Sequence, residues 1–298
     1  MRLRVLGSAA GGGFPQWNCG CANCAGVRAG TIRATPRSQE SLALSDDGER
    51  WFLINASPEI RAQIEGFKPL WPKDQRHSPI AGLLLTNGDL DHCLGLLSLR
   101  ESHPLQLYAT DAVRAGFTEN NVLYKTLLRF EGQVKWNRLA HGVPVSLGGS
   151  LSVTAFALPG KRPLHLEDRP GSQEDNVGLR FSDSATQVVV AYASTCAGPS
   201  PELEQLVEGA NVVFFDGTFF SSDELPSLGI GTRTAQQMAH WPIGGEQGSL
   251  RFLEKLKSKN VLIHLNNTNP VLRDDSSERR QLTDARVEVA FDGMELTL

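Results

Sequence analysis

Thr86-Asn87-Gly88-Asp89-Leu90-Asp91-His92 follows directly on an apolar run, Ala81-Gly82-Leu83-Leu84-Leu85. A short apolar run ending in polar and glycine residues reads as a buried strand running into a loop. The adjacent Asp91 and His92 are residue types that ligate metals, and Asn87 and Asp89 add two polar groups to the same loop.

The chain has 298 residues, 40% of them apolar and 21% charged, which fits a globular protein. No repeat, low-complexity tract or linker divides it, so a single domain over 1–298 is expected. A net charge of −4 gives no reason to expect nucleic-acid binding. No stretch approaches the roughly 20 apolar residues that span a bilayer. Met1-Arg2-Leu3-Arg4-Val5-Leu6-Gly7 reads as a first strand rather than a secretory signal. Five cysteines, an odd count with three crowded together, argue against a disulfide framework and for a reducing cytoplasm.

Further strands are expected at Leu42–Leu44, Trp51–Ile54, Leu105–Tyr108, Leu151–Thr154, Gln187–Tyr192, Val212–Phe215 and Val261–Ile263. Helical spacing marks Pro201–Val207 and Gly248–Leu256, and a helix from Pro58 with Ser57 as its N-cap. Strands with interspersed helices indicate a layered α/β or α+β fold. The proline- and charge-rich stretch from Lys161 to Asp175 reads as a long loop or lid.

Cys19-Gly20-Cys21-Ala22-Asn23-Cys24 is the second strong signal. Three thiolates this close suit a structural zinc, with a fourth ligand from elsewhere. His240 and a residue near Asn267 are the candidates for it. Gly11-Gly12-Gly13 gives the preceding loop freedom to wrap an ion. Cys93 and Cys196 read as small buried residues.

The loop at Thr86 resembles the His-x-His-x-Asp-His loop of metallo-β-lactamase-fold hydrolases, with Asn87 and Asp89 at the two leading histidine positions. Arg37–Ser41, Ile54-Asn55-Ala56-Ser57-Pro58, Phe215–Phe219, Ala239-His240 and His264 resemble segments of the ribonuclease Z-like branch. With the cysteine cluster, Ile263–Pro270 and Asp292-Gly293-Met294-Glu295, the whole chain resembles the B-protein family of pyrroloquinoline quinone (PQQ) biosynthesis. The resemblance implies an α/β four-layer αββα sandwich. It also implies that one of two metal sites is dismantled, at Asn87, Asp89, Gly160 and Ser194 or Thr195, while Asp91, His92 and His264 keep the other. Two histidines and a carboxylate form the set of non-haem Fe(II) oxygenases, and zinc also accepts them. His240 is then a general acid/base or orients substrate, Asp216 orients His264, and Asn87 and Asp89 meet substrate.

The activity implied is iron- and O2-dependent hydroxylation of the tyrosine-derived ring of a glutamate–tyrosine cross-linked precursor, free or peptide-borne. The alternative is a soluble carrier that helps move PQQ or its precursor towards the periplasm. A homodimer is compatible with either.

Overall fold

The computed structural model describes residues 1–166 and 168–298. The strands are β1 (Arg2–Gly7), β2 (Ser41–Ser45), β3 (Trp51–Ile54), β4 (Ile80–Leu84), β5 (Leu105–Ala109), β6 (Val134–Arg138), β7 (Val145–Gly148), β8 (Leu151–Ala157), β9 (Val177–Asp183), β10 (Val189–Ala193), β11 (Val212–Asp216), β12 (Lys259–Ile263), β13 (Val287–Val289) and β14 (Glu295–Thr297). They make two seven-stranded sheets, ordered β14-β1-β2-β3-β4-β5-β6 and β13-β12-β11-β10-β9-β8-β7. In the first sheet the pairs from β3 to β6 are parallel and the rest antiparallel. In the second, β10 to β13 pair in parallel and β7 to β10 antiparallel.

The sheets pack face to face. Leu42, Leu44, Phe52, Ile54 and Leu84 of one share a core with Val153, Phe181, Tyr192, Phe214 and Val261 of the other. Val213, Phe215 and Leu262 point the opposite way, into a layer with α5 (Pro201–Val207), α7 (Ser249–Leu253) and α8 (Ser277–Asp284). Leu53, Leu83 and Leu107 likewise back onto α2 (Ile60–Glu65) and α4 (Asp111–Thr118). The result is the αββα sandwich, and it explains the continuous apolar runs. Strands covered on both faces have no polar side to alternate with.

Ser200 caps α5 by accepting from Leu203 N, with Pro201 in the first turn. The helix expected from Pro58 begins later, at Ile60, and Ser57 does not cap it. The Ser57 hydroxyl instead donates to Gln63 Oε1 at 3.0 Å. The strand expected from Gln187 begins at Val189, because Gln187 turns the chain with φ +60°. Lys161–Asp175 forms a loop with short 3-10 turns at Leu164–Leu166 and Gln173–Asp175, Glu167 within it lying outside the described residues.

Candidate metal centre

Parallel strands place their carboxyl ends together, and here the ends of β4, β11 and β12 converge. β4 leads through Thr86 and Asp89 into the single turn α3 (Leu90–Cys93), which carries Asp91 and His92. β12 delivers His264 in the left-handed region, φ +61°. β11 ends on Asp216. Asp91 Oδ2 stands 3.2 Å from His264 Nε2 and 3.7 Å from His92 Nε2. The donor atoms of all three residues lie within 4.8 Å of one another.

Both imidazoles are held in one tautomer. Thr86 Oγ1 donates to Asn55 Oδ1 at 3.0 Å, an oxygen that also accepts the Thr86 N–H. That hydroxyl therefore accepts from His92 Nδ1–H, 3.0 Å away, and Nε2 is left with its lone pair. His264 repeats the arrangement. Thr218 Oγ1 donates to Asp216 Oδ1 and accepts from His264 Nδ1 at 2.8 Å. Among the described residues, the buried His92 Nε2 has no hydrogen-bond partner. Such an orphaned nitrogen, facing a carboxylate and a second Nε2, fits a metal ion.

Burial alone would raise the Asp91 carboxyl, but the imidazoles of His92 and His264 hold it well below the usual carboxylate range. Burial pushes His92 down to about 4. Burial opposes charge on His264 too, yet the Asp91 hydrogen bond and the Asp91, Asp216 and Glu40 carboxylates raise it to about 9. A proton on His264 Nε2 thus sits where a cation would. Glu40 was missed by sequence reasoning. Its Oε2 lies 3.3 Å from His92 Nε2 and accepts from Asn55 Nδ2, and burial lifts its carboxyl to about 8. The signal was an acid just ahead of an apolar strand.

His240 and Asp216 meet beside this cluster. His240 Nδ1 is 2.8 Å from Asp216 Oδ2, and its ring stacks on His264 with centroids 5.5 Å apart. Asp216 Oδ2 also accepts the Cys196 N–H, and Cys196 is buried as expected, like Cys93. Asn87 is buried, and its Oδ1 accepts from Asp89 N at 3.0 Å. The Asp89 carboxyl is raised by burial and by Asp91, against the pull of Lys161. A side chain at Gly160 has no room: a Cβ there would lie 2.6–2.8 Å from Asn176. Asn176 bridges to Asn87 and was also missed.

The three clustered cysteines also come together, Cys24 on α1 (Ala22–Ala29) and Cys19 and Cys21 just before it. Asn267 Nδ2 stands 3.1 Å from Cys19 Sγ, 3.7 Å from Cys21 Sγ and 3.3 Å from Cys24 Sγ. Of the two places considered for a fourth ligand, the loop at Asn267 meets the sulfurs; His240 is engaged with Asp216 instead. Asn23 Nδ2 donates to the Asn267 and Asn269 carbonyls, tying α1 to the segment that follows His264.

A family model described as "Beta-lactamase superfamily domain" matches residues 50–265. Coenzyme PQQ synthesis protein B of Pseudomonas entomophila (strain L48) is 43% identical over 306 residues, with 100% of both chains covered. Its counterpart from Azotobacter vinelandii (strain DJ) is 42% identical over 311 residues with the same coverage. The crystal structure of Zn(2+)-bound PqqB from Methylobacterium extorquens matches with a TM-score of 0.94 at 41% identity, covering 100% of each chain. No helix among the described residues is long and apolar enough to cross a membrane. This chain belongs to the coenzyme PQQ synthesis protein B family, built on the β-lactamase superfamily fold.

Proposed function

We propose that this chain is a metal-dependent enzyme of PQQ synthesis, hydroxylating the tyrosine-derived ring of a glutamate–tyrosine cross-linked precursor. The observation that carries the reading is the pair of tautomer-locked imidazoles, His92 and His264, facing Asp91, with Asp216 and His240 forming an adjoining group that shares His264. Asp91, His92 and His264 would hold the ion, Fe(II) in this reading, though zinc suits the same donors. Bound there, Fe(II) would supply the activation of O2. One oxygen atom enters the ring and the other leaves as water, with two electrons from an external reductant. Relatives named for PQQ synthesis support the pathway.

The chain's own groups do the rest. Asp216 takes His240 Nδ1–H and leaves Nε2 to accept or deliver a ring proton. Through Thr218, the same carboxylate fixes His264. Asp89, at the head of α3, offers a carboxyl to the substrate, and Asn87 shapes the loop that presents it. Cys19, Cys21 and Cys24 would hold a structural zinc beside Asn267, in the segment after His264.

Anaerobic reconstitution with Fe(II), followed by O2 uptake and product mass with the cross-linked precursor, tests this. A gain of oxygen that disappears in His92→Ala and His264→Ala is expected. No turnover with any first-row metal, together with tight binding of finished PQQ, would overturn it in favour of a carrier.

A further inference from the structure

Glu40 is a buried carboxylate of this region that the chemistry proposed above does not use. It lies just ahead of β2, with its N–H bonded to Ala9 O at 2.8 Å, and its side chain is fully buried. Asn55 Nδ2 donates to Oε2 at 2.8 Å, and that same oxygen lies 3.3 Å from His92 Nε2. Among the described residues, Oε1 has no hydrogen-bond partner. A carboxylate taken out of water with one neutral donor on it is costly unless a proton or a cation compensates. Among the described residues its ion-pair partner is His92 and no lysine or arginine.

We propose that Glu40 supplies a further carboxylate to the metal centre, completing Asp91, His92 and His264 as a two-histidine, two-carboxylate set. The inference rests on the centre proposed above. Charge argues for it: a divalent ion held by Asp91 alone keeps a net positive charge in a buried site, and a second carboxylate neutralises it. Geometry agrees, because Oε2 already sits beside the orphaned Nε2 that the ion would use. Position agrees as well. Asn55, which orients Glu40, also accepts from the threonine that sets the His92 tautomer, so one amide aligns both groups. An added hard oxygen donor also tilts the site towards Fe(II), Mn(II) or Mg(II) relative to zinc.

The test compares wild type, Glu40→Gln and His92→Ala, each stripped of metal and titrated with Mn(II) and Zn(II) against a chelator. Gln keeps the shape and can still accept from Asn55. Thermal melting of the metal-free proteins establishes that each variant folds. Glu40→Gln is expected to weaken Mn(II) binding at least tenfold and Zn(II) binding less, and to shrink the melting-temperature gain that Mn(II) confers. Unchanged affinities and an unchanged metal-induced gain in Glu40→Gln, with Mn(II) binding lost in His92→Ala, would overturn the role of Glu40 alone. Mn(II) binding unchanged in His92→Ala as well would overturn the metal centre itself.

Discussion

Thr86 dictates which nitrogen His92 presents: its hydroxyl, 3.0 Å from Nδ1, has already given its proton to Asn55. Thr218 does the same for His264, with Asp216 as the terminal acceptor. Thr86→Val keeps the shape and removes the acceptor, leaving the imidazole free to carry its proton on Nε2. Metal affinity is expected to fall roughly tenfold or more, within the range for groups that orient ligating histidines. Chelator-competition titration of folded Thr86→Val and Thr218→Val checks it; unchanged affinity in both would sink the relay.

The cysteine cluster and the histidine centre are separable by stoichiometry. Cys24 is fully buried against Asn267, so a zinc bound there is part of the fold rather than of the chemistry. Cys24→Ser is expected to lose one equivalent of zinc and to melt several degrees lower. His264→Ala should retain that equivalent. Metal analysis of both, purified in parallel, decides the point, and zinc retained by Cys24→Ser would remove the structural site.

Gly160, which the sequence resemblance puts at the dismantled second site, has no room for a side chain. Asn176 Nδ2 donates to Thr195 O and its side chain fills the space above the glycine. Gly160→His therefore overpacks, at about 1–3 kcal/mol in stability, and does not bring a second ion. Calorimetric melting and metal counting check the two halves separately. A stable variant with an extra bound ion would show that Asn176 yields easily.

Much of this was readable before any coordinates. β4, β11 and β12 announced themselves as apolar runs, and Asp91, His92 and His264 fall at or just past strand ends. Residues that act by contact across the chain were not readable. Asn55 lies 15 residues from Glu40 and 31 from Thr86, and nothing local marks the three as one network. Their shared feature is burial without an apolar neighbour's chemistry, which only packing reveals. Short or edge elements such as β6, β7, β13 and β14 were missed because their residues are partly exposed and their apolar runs short. Ser57 shows the converse failure: a good capping residue was recruited by Gln63.

Glu224 gives stability a pH dependence away from the metal. It accepts from Phe220 N at 2.9 Å and from the Thr268 hydroxyl, and burial raises its carboxyl from 4.5 to about 7. The folded chain thus holds a proton that the unfolded chain releases. This contribution to stability is complete below the unfolded value and declines as pH rises towards about 7. Glu224→Gln cannot ionise, so its melting temperature should fall less than that of wild type between those limits. Parallel slopes in the two proteins would show that Glu224 is ionised in the fold.

Tyr192 carries a hydroxyl into the apolar layer between the sheets. The side chain is fully buried, packs at 6.1 Å from the Phe214 ring, and its oxygen has no partner among the described residues. Removing an unsatisfied buried hydroxyl recovers its desolvation cost, about 1–3 kcal/mol, while the ring keeps its contacts. Tyr192→Phe should therefore unfold at higher denaturant with an unchanged slope, and metal binding should be unaffected. A destabilised variant would mean that the oxygen is hydrogen-bonded, with an internal water as the remaining partner.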